Sequence, residues 1–142
     1  MKKYISPLAI LIALFAISCT QTEKKGGYSQ LINYKDMQQI AAELDQKTDS
    51  LHIFQTAIRD MLHGFEASFP KDTFTTKLRT QLSELNKAEY TFNQWKKNYN
   101  VPEDSITMEK AAFAALGKNE ITAVRSEWNY NIIATKKLIA YF

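Results

Sequence analysis

Apolar residues recur at intervals of three and four along the chain after residue 28, and this spacing constrains the fold more than any other feature. One such stripe covers residues 29–68, a second covers 72–99 and a third covers 104–142. This spacing places the apolar side chains on one face of an α-helix. The four glycines and three prolines of the chain are too few for the many turns of an all-β fold. We therefore expect an all-α protein with three long amphipathic helices.

Two proline-containing segments separate the stripes. The first stripe ends at 69–70, because a residue before proline avoids the α-helical region, and the second ends at 98–102. Asp72 or Thr73 can cap the second helix, and a residue at 104–107 can cap the third. Short connections between long helices favour an antiparallel three-helix bundle. The alternative is an extended helical hairpin that dimerises through the same stripes.

The two turns also predict which residues lie side by side. With the turns centred near the prolines, Trp95 lies near Lys47 on the first helix and near Lys110 on the third, and Leu78 lies beside Trp128. Gly117 falls inside the third helix, where it costs about 1 kcal/mol relative to alanine. We therefore expect Gly117 to mark either a close helix crossing or a weak point.

The second helix is shorter than its neighbours, so one end of each neighbour extends beyond it. We expect both ends to be partly exposed and to form surfaces for a partner. The alternative is that the first helix breaks early or that loops cover the ends. At the start of the first helix the apolar residues are Leu31, Ile32 and Tyr34, and at the end of the third they are Leu138, Ile139, Tyr141 and Phe142.

The first 19 residues have the three parts of an export signal. Lys2 and Lys3 are followed by the apolar run 8–17 and by Ser18-Cys19. The apolar run is too short to span a bilayer comfortably, since a membrane helix needs about 20 residues. The segment 14–19 resembles a bacterial lipobox, which implies cleavage before Cys19 and acylation of its thiol. We expect a signal peptide at 1–18 and a polar, flexible tether at 19–28.

Removal of the signal changes what the composition means. The chain has 18 Lys and Arg against 15 Asp and Glu, and two of the lysines leave with the signal. The mature domain is therefore nearly neutral, and no basic stretch indicates nucleic-acid binding. Cys19 is the only cysteine, so its acylation excludes disulfides and cysteine catalysis.

No group of residues predicts a catalytic or metal site. His52 and His63 lie on one predicted helix about three turns apart, too far to share a metal ion. Each follows an aspartate by three residues, which local ion pairing on a solvated helix face explains. We predict no metal, cofactor or catalytic residue. The segment Asp104-Ser-Ile resembles a short O-glycosylation sequon of exported proteins, which implies Ser105 as a modification site.

Two C-terminal segments resemble a group of small bacterial lipoproteins. The aromatic-rich segment 88–102 surrounds Trp95 and ends in proline, and the segment 121–138 ends in Lys-Lys-Leu. This pattern is similar to helical lipoproteins of unknown function that are often labelled viral A-type inclusion proteins. The resemblance implies a helical fold and an envelope location, and it brings no activity. Thr20 follows the cysteine where an inner-membrane retention signal has aspartate, which favours the outer membrane.

These observations predict a membrane-anchored lipoprotein of the bacterial cell envelope. The membrane is bound through acyl chains on Cys19, and the helical domain is a non-catalytic interaction or structural module with a protein partner, or a homodimer. The alternative is a lipoprotein that binds a small ligand or a metal between its helices.

Overall fold

The computed structural model describes residues 7–69, 71–102 and 106–141, with side chains described from residue 31 onward. Within these ranges the chain forms three α-helices: α1 (Pro7–Ser68), α2 (Thr73–Tyr99) and α3 (Lys110–Ile139). Each helix packs against the other two, and no strand occurs among the described residues. The predicted all-α three-helix bundle is therefore confirmed.

Helix α1 begins earlier than the stripe that predicted it. Its backbone is helical from Pro7, and it includes residues 19–28. The signal peptide and the tether are assignments for the processed protein, and both stay predictions. Among the described helices, none combines the length and the apolarity that crossing a bilayer requires.

The turn between α1 and α2 forms as predicted. Helix α1 ends at Ser68, and Asp72 caps α2 by accepting a hydrogen bond of 2.9 Å from the backbone N–H of Phe74. The fully buried Thr75 hydroxyl donates to the carbonyl of Phe69 at 2.9 Å. The second helix is therefore capped by a side chain and tied back to the end of the first.

The start of the third helix was predicted wrongly. The cap is Glu109 rather than a residue at 104–107, and its carboxylate accepts the backbone N–H groups of Ala111 and Ala112 at 3.2 and 3.0 Å. Val101 and Ile106 pack against the core, so the connection is a packed loop that reaches residue 109 before the helix begins. The helix also ends at Ile139 instead of residue 142.

The longer loop shifts the register of α3. Between α1 and α2 the predicted pairing is confirmed, since Lys96 lies 3.2 Å from Asp45. Between α2 and α3 it is wrong by about two helical turns. The indole N–H of Trp95 donates to the carbonyl of Gly117 at 2.9 Å instead of lying near Lys110. Trp128 likewise donates to the carbonyl of Ala88 at 2.9 Å, so it does not lie beside Leu78.

The core-facing side of α3 includes Phe113 and Gly117, which are buried, whereas Leu116 is exposed. A Cβ added at Gly117 would meet the sulfur of Met37 and would lie 2.7 Å from the ring of Tyr99. Gly117 therefore marks a close crossing of all three helices, which was one of the two expected outcomes.

Aromatic side chains fill the core beside this crossing. The ring centroids of Phe92 and Trp128 lie 5.5 Å apart, and those of Tyr99 and Phe113 lie 5.1 Å apart. Trp95 stacks between Phe92 and Tyr99. These offset and edge-on contacts, with both indole N–H groups bonded to backbone carbonyls, fix the three helices against one another.

Candidate partner-binding furrow

Helices α1 and α3 run parallel and leave a furrow between them on the surface. Its two halves are formed by equivalent turns of the same helices, but they have different chemistry. The lower furrow is lined by Asp36, Gln39, Ile40, Glu43, Lys118, Thr122 and Arg125. The upper furrow is lined by Lys47, Ser50, Ile53, Phe54, Asn129, Ile132 and Lys136.

Ion pairs bridge the lower furrow. The Lys118 ammonium lies 2.7 Å from an Asp36 oxygen, and it also donates to the side-chain oxygen of Asn33 at 3.2 Å. Arg125 lies 3.6 Å from Glu43, which also accepts a hydrogen bond from Lys47. The bond from Lys47, with the nearby guanidinium, lowers the pKa of Glu43 below its ordinary value. The charges of this half are therefore satisfied within the chain.

The upper furrow has an apolar floor and no carboxylate in its lining. Lys136 has no carboxylate partner among the described residues, and its ammonium lies 6.0 Å from the centre of the Phe54 ring. Lys47, at the lower end, is turned toward Glu43. The open volume is about 400 Å³. This half is a shallow apolar strip with an ammonium group at each end.

Two large side chains at the upper furrow are exposed to solvent. Ile53, in the lining, is 67% exposed, and Ile133 is 54% exposed. Ile133 follows Asn129 by four residues and precedes Lys136 by three, so it lies on the rim of the upper furrow, whereas the exposed Tyr130 lies farther round α3, outside the lining. Contiguous exposed apolar groups of this kind mark interaction sites more often than single exposed residues do.

The predicted C-terminal surface is partly exposed. Leu138 and Ile139 are half-buried, Tyr141 is 85% exposed, and Phe142 lies outside the described residues. Leu138 packs against the core, and with Tyr141 it lines a second groove beside Lys77 of α2. At the other end Leu31, Ile32 and Tyr34 are exposed, as expected. That either end binds a partner stays a prediction.

A polar cluster joins α1 to α2. His52 Nε2 lies 2.9 Å from one Glu89 oxygen, and Gln55, which is buried, donates to the other oxygen at 2.8 Å. The Gln55 bond and then the His52 contact lower the pKa of Glu89. His52 therefore pairs across the helix interface. Within the described ranges no three His, Cys, Asp or Glu residues gather where they could hold a metal ion.

The pKa of Tyr99 is shifted further than that of the other described residues. Its hydroxyl donates to Glu120 at 2.9 Å, and burial, followed by this bond, raises the pKa of Tyr99 to about 12. A phenol that holds its proton this firmly is a fixed hydrogen-bond donor at physiological pH. It secures the close crossing at Gly117 and offers no acid–base chemistry.

The two predicted modification sites are not tested by the geometry. Cys19 lies in the part of α1 for which only the backbone is described, and Ser105 lies outside the described residues. Both stay predictions.

The residues of the upper furrow rim were missed by the stripe analysis. Ile53 and Ile133 are apolar residues that lie off the core stripes of their helices. That mismatch is the signal that could have found them, because a helix that buries one face has no structural need for apolar residues on another.

Comparison of the chain with protein-family models, curated proteins and solved structures found no match. The function is therefore inferred from the residues alone.

Proposed function

We propose that this protein is a lipid-anchored, non-catalytic module of the bacterial cell envelope that presents its upper furrow to a protein partner. The observation that carries this proposal is the exposed rim of Ile53 and Ile133 beside an apolar floor. The lower furrow, between the same helices, is bridged by ion pairs that satisfy its charges within the chain. The contrast supports a docking surface in the upper half.

The proposed anchor is Cys19, held in the outer membrane by acyl chains that make the attachment effectively permanent. The lipobox-like segment 14–19 and the absence of any other cysteine in the chain support it. Since α1 and α3 run parallel, the upper furrow and Tyr141 lie toward the end of the bundle opposite the start of α1. The module would then display its furrow away from its own anchor.

The anchor is tested in cells of the native species with labelled palmitate and flotation of membranes. We expect the wild-type protein to take up label and to float with outer-membrane vesicles, and Cys19→Ala to do neither. Thr20→Ala is the matched control and should behave as wild type. If Cys19→Ala still floats and the wild type takes up no label, the anchor is wrong.

The partner surface is tested by photo-cross-linking in cells. A photoreactive phenylalanine analogue replaces Ile133 on the rim or, as the control, Tyr90, which is 64% exposed on α2. We expect a product of discrete mass from the rim position and none from the control. Identical patterns from the two positions would contradict a docking role for the furrow.

A further inference from the structure

Both halves of the furrow pair α3 with α1 at the same residue offset. At the upper level this offset shows where a carboxylate is absent from α1. Lys118 pairs with Asp36, and Arg125 pairs with Glu43 two helical turns further along. By the same offset Lys136 meets α1 at Phe54. The cation of α3 is thus repeated at the upper level, but the carboxylate of α1 is replaced by an aromatic ring.

We propose that an acidic amphipathic helix of a partner protein binds in the upper furrow and supplies the absent carboxylate. This inference rests on the proposed function, and it names the chemistry of the partner. The apolar face of the helix would pack on Phe54, Ile132 and the rim, and its acidic residues would pair with Lys136. The charge pattern of the lower furrow would then continue through the partner.

The shape of the site favours a helix. The upper furrow lies between two parallel helices, and a helix presents apolar side chains at i, i+3, i+4 and i+7 that fit a groove of this kind. On α1 the lining runs from Lys47 to Phe54, or about 10 Å at 1.5 Å per residue. Two turns of a partner helix would cover it.

Two other occupants fit less well. A second copy docking face to face would bring its own Lys136 to the same strip, which sets like charges together. A lipid surface is flat on this scale, so it would reach the rim at Ile53 and Ile133 but not the floor at Phe54.

The experiment uses the full-length protein in detergent and two synthetic helical peptides of about 20 residues, long enough to form a helix in isolation. Both peptides carry leucine at i, i+3 and i+7. One is flanked by glutamate and the other by lysine. Fluorescence anisotropy at low and high salt should show that the acidic peptide binds at least about tenfold more tightly, with a difference that shrinks as salt is added.

Variants locate the binding on the furrow. We expect Lys136→Glu to weaken the acidic peptide about tenfold and to strengthen the basic one, and Ile133→Ala to weaken both. Lys97→Glu and Tyr90→Ala are the controls, since they reverse a lysine charge and truncate a large side chain to alanine at exposed positions on α2. Both controls should bind as wild type.

Three results would overturn the proposal. One is equal or absent binding of the two peptides. Another is a dimer, seen by sedimentation, that Ile133→Ala dissociates. The third is binding of the Cys19→Ala variant to vesicles of anionic phospholipid that Ile133→Ala weakens. None of these outcomes depends on acylation of Cys19, so a failed anchor and a wrong partner chemistry are distinguished.

Discussion

The lower and upper halves of the α1–α3 furrow are built from the same two helices in the same register, yet among the described residues only the lower half is bridged by ion pairs. Asp36 and Glu43 meet cations of α3 there, whereas Phe54 meets Lys136 without a carboxylate. Backbone geometry is therefore not what separates the ion-paired surface from the proposed binding surface. The difference lies in which side chains find partners within the chain, and substitutions can test it half by half.

The largest expected contrast is between two truncations on α1. Met37 is fully buried in the lower half, so Met37→Ala should lower the free energy of unfolding by about 2–5 kcal/mol. Ile53→Ala, on the upper rim, should change it by less than about 0.5 kcal/mol. Urea unfolding followed by circular dichroism measures both. Equal losses would mean that the upper rim is part of the core.

The next contrast is between two glycines. Gly117→Ala sets a methyl group against Met37 and Tyr99, an overpacking cost of about 1–3 kcal/mol that a helix-propensity gain of about 1 kcal/mol offsets only in part. Gly64 has no atom within 4 Å of its added Cβ. Gly64→Ala should therefore stabilise by up to about 1 kcal/mol. Urea unfolding measures the stability of both variants. Stability changes of the same sign in Gly117→Ala and Gly64→Ala would contradict the close crossing at Gly117.

A smaller effect depends on pH. The pKa of Glu43 is lowered, so its pairing contributes stability above the ordinary value of 4.5, and this contribution is lost as the pH falls through the lowered pKa. The carboxylate is partly exposed, so the effect should stay below about 1 kcal/mol. Glu43→Gln should lose less stability than wild type between neutral pH and pH of about 3. Lys136→Gln, in the upper half, should follow the wild-type pH dependence.

The smallest effect on stability comes from giving the upper half a carboxylate of its own. Ser50→Glu places an acid in the lining of the upper furrow near Lys47, and we expect the free energy of unfolding to change by less than about 0.5 kcal/mol. Its affinity for the acidic peptide should fall, because the furrow then carries the charge that the partner would bring. Unchanged affinity would show that the peptide does not sit beside Ser50.

Much of the fold could be predicted because its determinants are local. Side-chain spacing predicts the stripes of α1 and α2. The short connection that contains Pro70 predicts the cap at Asp72. The connection before α3 is different. Its length depends on the packing of Val101 and Ile106 against the core. These are tertiary contacts, which the spacing of residues along the sequence does not predict. Asp104, Ser105 and Thr107 have good capping side chains, but the helix begins only after Glu109.

The upper furrow was harder to predict than the fold. Ile53 and Ile133 are distant in sequence, and the α3 register that brings them to one furrow depends on the loop length that was missed. The ends of the helices were easier, because the shorter α2 alone predicts that Leu31 and Tyr141 are exposed. A surface formed by one helix can thus be predicted from its own sequence, whereas a surface shared by two requires their register.

The parallel course of α1 and α3 has a mechanical consequence. Tension between the N-terminal end of α1 and a partner held near Lys136 would act at opposite ends of two helices that point the same way. Such a load slides the helices past each other along their axes, so the contacts at Asp36, Glu43 and Gly117 would resist it together. A chain pulled in this geometry is loaded in shear and not unzipped contact by contact.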